Sequence, residues 1–222
     1  MVKLEFLKEW RRIKIRKHIS SKFYLVLSMQ KKENRIVGIV LSGGKSERMG
    51  QEKGLVQYKG KALIEYAIET LKPLCHELVI STANDDYAYL DLPMIADEIP
   101  DCGPIGGIST CMAKRDADVY LVISCDVPHV PTQLFVDLLD QLKGNAIIPI
   151  DETGRKQPLA ACYASSASSF FHEALESGHL KMMSLLLKMA PLYFKPSSNL
   201  DYYRPNLFTN LNSMGDISDL HV

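Results

Sequence analysis

The sequence lacks any apolar run of the roughly 20 residues that a membrane-spanning helix needs. Its five cysteines form no C-x-x-C pair, so the sequence predicts neither a zinc site nor a disulfide framework. The apolar run from Phe23 to Met29 is not followed by a signal-peptidase pattern, and internal repeats and low-complexity segments are absent. These absences favour a globular protein of a reducing cytoplasm with no membrane span.

The formal net charge is zero, but the charges are unevenly distributed. Residues 1–35 contain eleven Lys and Arg against three Glu, and the rest of the chain is correspondingly acidic. We expect residues 1–35 to be a poorly ordered basic extension and residues 36–222 to form one domain. The extension lacks aromatic stacking platforms, so no nucleic-acid partner is expected. Met29 raises the hypothesis that the functional protein begins there, without residues 1–28.

Hydrophobic runs and turn residues predict an alternation of strands and helices. Strands are predicted at 36–41, 77–81, 92–96, 119–124, 146–150 and 159–163, and helices at 63–71, 105–113, 132–142, 168–176 and 182–189. This order predicts a single three-layer α/β/α domain with a mostly parallel, Rossmann-like sheet. Ligands of such sheets bind outside the carboxyl ends of the strands. The candidate ligand-bearing loops are therefore 42–53, 81–86, 97–107 and 125–129.

A glycine-rich segment, LSGGKSERMGQEKG at 41–54, directly follows the first predicted strand. It contains the glycines and cations Gly43, Gly44, Gly50, Lys45, Arg48 and Lys53. Backbone N–H groups of such a loop can turn towards an anion, and the cations add positive charge. Neither the P-loop pattern nor the G-x-G-x-x-G dinucleotide pattern fits this segment. The segment nevertheless predicts a binding site for a polyphosphate.

Asp126 stands just past the strand VYLVIS, the strongest strand pattern in the chain. A carboxylate beside an anion site is compatible with it when a divalent cation lies between them. Mg²⁺ binds in this way, through one or two carboxylates together with substrate phosphates. We therefore expect Asp126 to be a magnesium ligand.

Four motifs together resemble the molybdenum cofactor guanylyltransferases, the MobA family of the nucleotidyltransferase group. They are LSGGKSERMG…EKGL, ADEIPDCGPIGGI, VISCDVP and FTNLNSMGDI, and the resemblance extends from about Ile36 to Leu220. The resemblance implies the nucleotide-diphospho-sugar transferase type of fold. It also implies transfer of GMP from GTP to the terminal phosphate of molybdopterin, with release of pyrophosphate. The acceptor is a phosphate monoester, already mostly dianionic at neutral pH, so no general base is needed.

The resemblance also implies roles for individual residues. The nucleotide-binding set would be Leu41, Ser42, Gly43, Gly44, Lys53, Asn84, Asp97 and Asp126, with Gly103, Gly106 and Gly107 forming the turn and helix start beside the nucleotide. Arg48 and Lys53 would neutralise the triphosphate and the departing pyrophosphate, and Asp126 would hold Mg²⁺. These three are the expected catalytic residues.

Four further expectations concern recognition of the two substrates. Asp97 is expected to accept hydrogen bonds from guanine, and Thr82 aligns as well as Asn84 with a nucleotide position of the family. Asn210 and Asn212 would bind the acceptor. The stretch Arg155 to Pro158 is expected to be a solvated hairpin edge, although the strand after it could border the pterin pocket.

Other functions are compatible with the same phosphate-binding residues. The nearest alternative is another nucleotidyltransferase, either a CTP:molybdopterin cytidylyltransferase or a sugar- or polyol-phosphate nucleotidyltransferase. A catalytically silent binding protein is a further alternative, although Arg48, Lys53 and Asp126 are all present. Besides GTP and molybdopterin, the expected partners are other cofactor-biosynthesis proteins or apo-molybdoenzymes. The number of subunits and of pterins in the product stays open.

Overall fold

A computed structural model describes residues 34–42 and 52–211 of the 222-residue chain. Contacts divide the chain between Glu33 and Asn34, and all described residues belong to the second unit. The basic extension predicted at residues 1–35 therefore lies almost entirely outside the described residues. No described helix is long and apolar enough to cross a lipid bilayer.

Seven strands form the central sheet. They are β1 (Ile36–Leu41), β4 (Glu77–Ser81), β5 (Met94–Ile95), β6 (Val119–Ser124), β7 (Ala146–Pro149), β8 (Ala160–Ala164) and β9 (Leu192–Phe194), and β2 (Gln57–Tyr58) and β3 (Lys61–Ala62) pair separately as a short antiparallel ribbon. The order across the sheet is β5-β4-β1-β6-β8-β7-β9. Within this sheet only β8 runs antiparallel to its neighbours. The prediction of a mostly parallel sheet is thus confirmed.

Helices cover both faces of the sheet, as the three-layer prediction requires. They are α1 (Leu63–Leu71), α2 (Gly103–Lys114), α3 (Thr132–Gln141), α4 (Ser168–Glu176) and α5 (Met182–Met189), with short 3-10 helices at Lys53–Leu55, Asp85–Leu90 and Ser165–Ala167. Helices α1 and α3 contact each other on one side of the sheet, and α2 and α4 contact each other on the other side, with α5 against α4.

Burial explains why the central strands are apolar on both faces. Every residue of β1 is buried, and β6 is buried from Val119 to Ile123. Alternate side chains Val37, Ile39 and Leu41 join the core under α2 and α4. The opposite face is packed so closely at Gly38 that an added Cβ would overlap Leu78. Each buried Val, Leu or Ile side chain contributes about 1.5–3 kcal/mol to folding, so the two-sided core stabilises the strands that end at the site.

Several small elements differ from the sequence-based prediction. No strand is predicted after the helix at 182–189, but β9 pairs in parallel with β7 at the edge of the sheet. The ribbon of β2 and β3 and the 3-10 helix Asp85–Leu90 were also not predicted. Each strand of the ribbon has two residues, which is too short to show a period in the sequence.

Candidate functional site

The site is built where four strands end at the same edge of the sheet. The register pairs Leu41 with both Ser81 and Ser124, and Ser81 with Ile95. The backbone N–H of Cys125 also donates to the carbonyl of Leu41 over 3.1 Å. The residues that follow these strands therefore emerge together, although they are far apart in the sequence.

Lys53 and Asp126 meet at this edge. Lys53 Nζ lies 2.8 Å from Asp126 Oδ2, and the two side chains are only 24% and 13% exposed. Lys53 begins a 3-10 helix, and Asp126 follows the last residues of β6. A partly dehydrated ammonium beside a carboxylate interacts more strongly than a surface pair does, because the local dielectric constant is lower. The structure thus brings together two of the three residues expected to be catalytic.

A buried tyrosine links Ser42 and Glu52, two residues within the glycine-rich segment. Tyr87 is fully buried, and its hydroxyl accepts from Ser42 Oγ at 2.5 Å and donates to Glu52 Oε1 at 3.0 Å. Burial raises the pKa of Tyr87, so the phenol stays protonated. Gly54 leaves room for this arrangement, because a Cβ there would overlap Ser42 Oγ.

Asp97 lies beside the first turns of α2. Ser81 Oγ donates to Asp97 Oδ1 over 3.5 Å, and Cβ atoms added at Gly106 and Gly107 would each lie 3.3 Å from the Asp97 carboxylate. Burial raises the pKa of Asp97 above its usual value, and the hydrogen bond from Ser81 acts in the opposite direction. The two glycines leave space beside the partly buried Asp97 carboxylate, which can accept hydrogen bonds from N–H groups at the edge of a planar ring.

Thr82 and Asn84 have structural partners in this loop. The Asn84 side-chain oxygen accepts from the N–H of Asp86 and caps the 3-10 helix Asp85–Leu90, and Thr82 Oγ1 accepts from the N–H of Asn84. The Asn84 oxygen therefore serves to hold this helix, which bears Tyr87.

A cleft of about 460 Å³ opens beside Asp126 on the β8 side of β6, whereas Asp97 follows β5 on the opposite side of β6. Its lining residues are Ser124, Asp126, Val127, Gly154, Arg155, Lys156, Gln157, Pro158, Leu159, Ala160, Met183 and Asn210. The cleft combines two cations with an apolar wall. The Arg155 to Pro158 stretch lies in the hairpin between β7 and β8, where Arg155 is exposed as expected, and it also lines this cleft.

The C-terminal segment returns to Asp126. The N–H of Leu211 donates to the carbonyl of Asp126 over 2.9 Å, and Leu211 is fully buried. This anchor places Asn210 in the wall of the same cleft as Asp126. Asn210 was expected near the acceptor, and its location is compatible with that prediction.

Comparison with known proteins identifies the family. The MobA-like NTP transferase domain family matches residues 38–191. A probable molybdenum cofactor guanylyltransferase of Flavobacterium johnsoniae is 33% identical over 184 residues, covering 82% of this chain and 95% of the relative. The chain belongs to the MobA-like NTP transferase family.

Relatives and solved structures agree with this membership. A molybdenum cofactor guanylyltransferase of Shewanella baltica is 33% identical over 81% of this chain and 92% of its own length. The crystal structure of molybdopterin-guanine dinucleotide biosynthesis protein A from Archaeoglobus fulgidus superposes with a TM-score of 0.68 at 25% identity, covering 82% of this chain and 95% of the neighbour. A 4-diphosphocytidyl-2C-methyl-D-erythritol synthase from Anaerococcus prevotii shares the fold, with a TM-score of 0.62 at 12% identity. The match covers 85% of this chain and 99% of the neighbour.

Four residues predicted for the MobA-like site lie outside the described residues. They are Gly43, Gly44, Arg48 and Asn212. Their roles stay predictions, as does the nucleotide contact of Leu41 and Ser42.

Cysteine chemistry does not contribute to the described part of this site. Cys125, beside Asp126, is buried, and burial raises the pKa of its thiol to about 12. The thiol therefore stays protonated near neutral pH and is a poor nucleophile.

Sequence reasoning missed Tyr87 and did not predict that Arg155 and Lys156 line a cleft. The Tyr87 hydroxyl reaches partners 45 and 35 residues away, which no local pattern reveals. Their sequence position offered a signal, because Arg155 and Lys156 precede β8. This strand lies next to β6, and Asp126 follows β6.

Proposed function

We propose that this protein transfers GMP from GTP to the terminal phosphate of molybdopterin and releases pyrophosphate. The observation that carries the proposal is the Lys53–Asp126 pair at the carboxyl edge of the sheet, in a chain of the MobA-like family. The relatives named molybdenum cofactor guanylyltransferase support the substrate assignment. The protein is thus proposed to be a nucleotidyltransferase enzyme with GTP and molybdopterin as substrates.

The reaction is a displacement at the α-phosphorus of GTP. An oxygen of the acceptor phosphate forms a bond to that phosphorus while the bond to the β-phosphate oxygen breaks, and the electron pair leaves with pyrophosphate. Lys53, together with the predicted Arg48, lowers the energy of the transition state by neutralising charge on the phosphates. The acceptor needs no general base because its phosphate is already ionised.

The residues present fit a magnesium ion. In residues 34–42 and 52–211 no group of three or more His, Cys, Asp or Glu side chains could form a metal cage by itself. Mg²⁺ commonly takes one or two protein carboxylates and completes its shell with water and substrate phosphates, and Asp126 supplies such a carboxylate. When bound, Mg²⁺ would draw electron density from the triphosphate oxygens.

The two substrates are assigned to opposite sides of Asp126. Asp97 and the turn at Gly106 and Gly107 are proposed to hold guanine. The cleft with Arg155, Lys156 and Asn210 is proposed to hold molybdopterin, with its cations facing the acceptor phosphate and its apolar wall against the ring system. Asp126 borders this cleft, so the two phosphates would meet near its carboxylate.

Pyrophosphate release tests the proposal. The protein is incubated with Mg²⁺, molybdopterin and one of GTP, CTP, UTP or ATP, and matched reactions omit the pterin or the nucleotide. We expect release only with GTP and molybdopterin together. Release that requires CTP instead would identify a cytidylyltransferase, and release without pterin would refute molybdopterin as the acceptor.

A further inference from the structure

We propose that Tyr87 is a positioning residue for the nucleotide, acting through its hydroxyl on Ser42 and Glu52. The inference rests on the proposed function, because it names a residue that prepares the same site for GTP. Tyr87 itself is fully buried behind the site and is not assigned a contact with substrate.

The hydroxyl group joins two parts of the chain that lead directly into the site. Ser42 follows the last residue of β1, and its Oγ donates to the Tyr87 oxygen at 2.5 Å. The Tyr87 O–H in turn donates to Glu52 Oε1 at 3.0 Å. Glu52 immediately precedes Lys53, whose ammonium reaches Asp126. One buried hydroxyl thus connects the end of β1 to the backbone that bears Lys53.

Neighbouring residues hold the Tyr87 hydroxyl in one position. Asn84 caps the 3-10 helix that carries Tyr87, which orients the phenol from its own element. Gly54 has no side chain where a Cβ would overlap Ser42 Oγ and approach the Tyr87 hydroxyl to 2.5 Å. A hydrogen bond to a carboxylate is also stronger than a neutral one.

Fixing Ser42 and Glu52 matters because the segment 43–51 joins them. Ser42 and Glu52, when held in place by the hydroxyl, have less conformational freedom to lose when GTP binds beside them. The same bond limits movement of Lys53 relative to β1. We therefore expect Tyr87 to contribute to GTP affinity and to have no effect on the acceptor.

The test compares Tyr87→Phe with Tyr120→Phe. Tyr120 is also buried. Its hydroxyl donates to the backbone carbonyls of Arg115 at 2.7 Å and Met112 at 3.3 Å, at the C-terminal end of α2, whereas Asp97 lies beside the first turns of this helix. Both variants lose one buried hydroxyl and keep the ring. We expect Tyr87→Phe to increase the dissociation constant for GTP with Mg²⁺ about tenfold and to raise KM for GTP. KM for molybdopterin should be unchanged. Tyr120→Phe should lower the melting temperature and leave GTP affinity at the parental value.

Glu52 supplies a second, independent variant. Glu52→Ala should weaken GTP binding to a similar extent, and Glu52→Gln, which keeps an acceptor oxygen for the tyrosine, should restore most of it. Adding Tyr87→Phe to Glu52→Ala should have a smaller effect than Tyr87→Phe has alone, because the bond to Glu52 is already broken and only the bond from Ser42 is left to lose.

The possible outcomes separate the two proposals. In one outcome the parent binds GTP, and both Tyr87→Phe and Glu52→Ala bind it with the parental affinity. This outcome refutes the role of Tyr87 and leaves the proposed function standing. If the parent binds CTP and not GTP, the guanylyltransferase proposal fails, and the same variants are compared with CTP. A parent that binds neither nucleotide refutes both.

Discussion

At the residue scale, Lys53 and Asp126 are the pair on which the chemistry depends. Replacing either one should reduce kcat at least about 100-fold, because each is assigned to phosphate charge that develops in the transition state. Lys53→Ala and Asp126→Asn are measured separately by pyrophosphate release, with a denaturant titration to show that each variant folds. Asn keeps the shape of the Asp126 side chain and removes its charge.

Lys61→Ala is the matched control for the lysine. Lys61 Nζ lies 2.6 Å from Glu69 Oε1, but both side chains are about half exposed, so this pair contributes little to stability. We expect its kcat to stay within twofold of the parental value. An Asp126→Asn protein with parental turnover would remove the basis for a metal-holding role.

Asp97 is assigned to guanine, and its substitution should change the preferred base. A carboxylate accepts from both N1–H and N2–H₂ of guanine, whereas an asparagine offers one acceptor and one donor. Xanthine has a carbonyl in place of the 2-amino group, so Asp97→Asn should bind XTP more tightly than GTP. Competition binding of the two nucleotides, with Asp140→Asn as an exposed-carboxylate control, measures the preference. An unchanged preference for GTP would contradict the assignment.

The raised pKa of Asp97 also has a consequence for pH dependence. The folded protein holds this proton more tightly than the unfolded chain does, so the contribution of Asp97 to stability falls as pH rises from its usual pKa through the raised value. GTP affinity should change in the opposite direction and increase over the same range as the carboxylate ionises. Asp97→Asn should remove both effects, which urea titrations and GTP binding across pH would detect.

At the element scale, the connector between β7 and β8 should control the acceptor. The Asp151 carboxylate accepts from Thr153, from the backbone of Arg155 and from the side chain of Gln157 at distances of 2.7–3.0 Å. Burial acts in the opposite direction, but these hydrogen bonds hold the pKa of Asp151 below its usual value. One carboxylate thus holds the turn that leads into Arg155 and Lys156 of the cleft wall.

Asp151→Ala should therefore raise KM for molybdopterin severalfold, since it removes several hydrogen bonds of roughly 0.5–1.5 kcal/mol each. KM for GTP should be unchanged, because the connector lies on the other side of Asp126 from Asp97. Steady-state kinetics with each substrate varied in turn distinguish these effects. An equal rise in both KM values would indicate a general loss of structure instead.

The strands and helices also show how much of the fold could be predicted from the sequence. The strands at 36–41 and 119–124 and the helix at 182–189 match the structure to the residue, because the strands are continuous apolar runs and the helix has apolar residues at helical spacing. Strand β9 was missed since its three residues are partly exposed and depend on pairing with β7. The Lys53–Asp126 contact was anticipated from strand ends, whereas the Tyr87 bridge depends on tertiary packing alone.

At the scale of the whole molecule, the site is assembled by topology. Residues 42, 53, 97, 126 and 210 are far apart in the sequence. The parallel strand ends bring together the regions of 42, 97 and 126, the C-terminal segment returns residue 210 to Asp126, and Lys53 contacts Asp126. A ligand that binds only the folded state raises its stability by about 2.7 kcal/mol at a hundredfold excess over the dissociation constant. GTP with Mg²⁺ should therefore raise the melting temperature of the whole domain, and CTP should not.

The most direct test follows the two ends of GTP through the reaction. The protein is incubated with Mg²⁺ and molybdopterin, and with GTP labelled either at the α- or at the γ-phosphate. We predict that the α label appears on a pterin product that also contains guanine, and that the γ label appears in pyrophosphate. Transfer of the γ label to the pterin, or release of the α label as free GMP with no pterin product, would contradict the account.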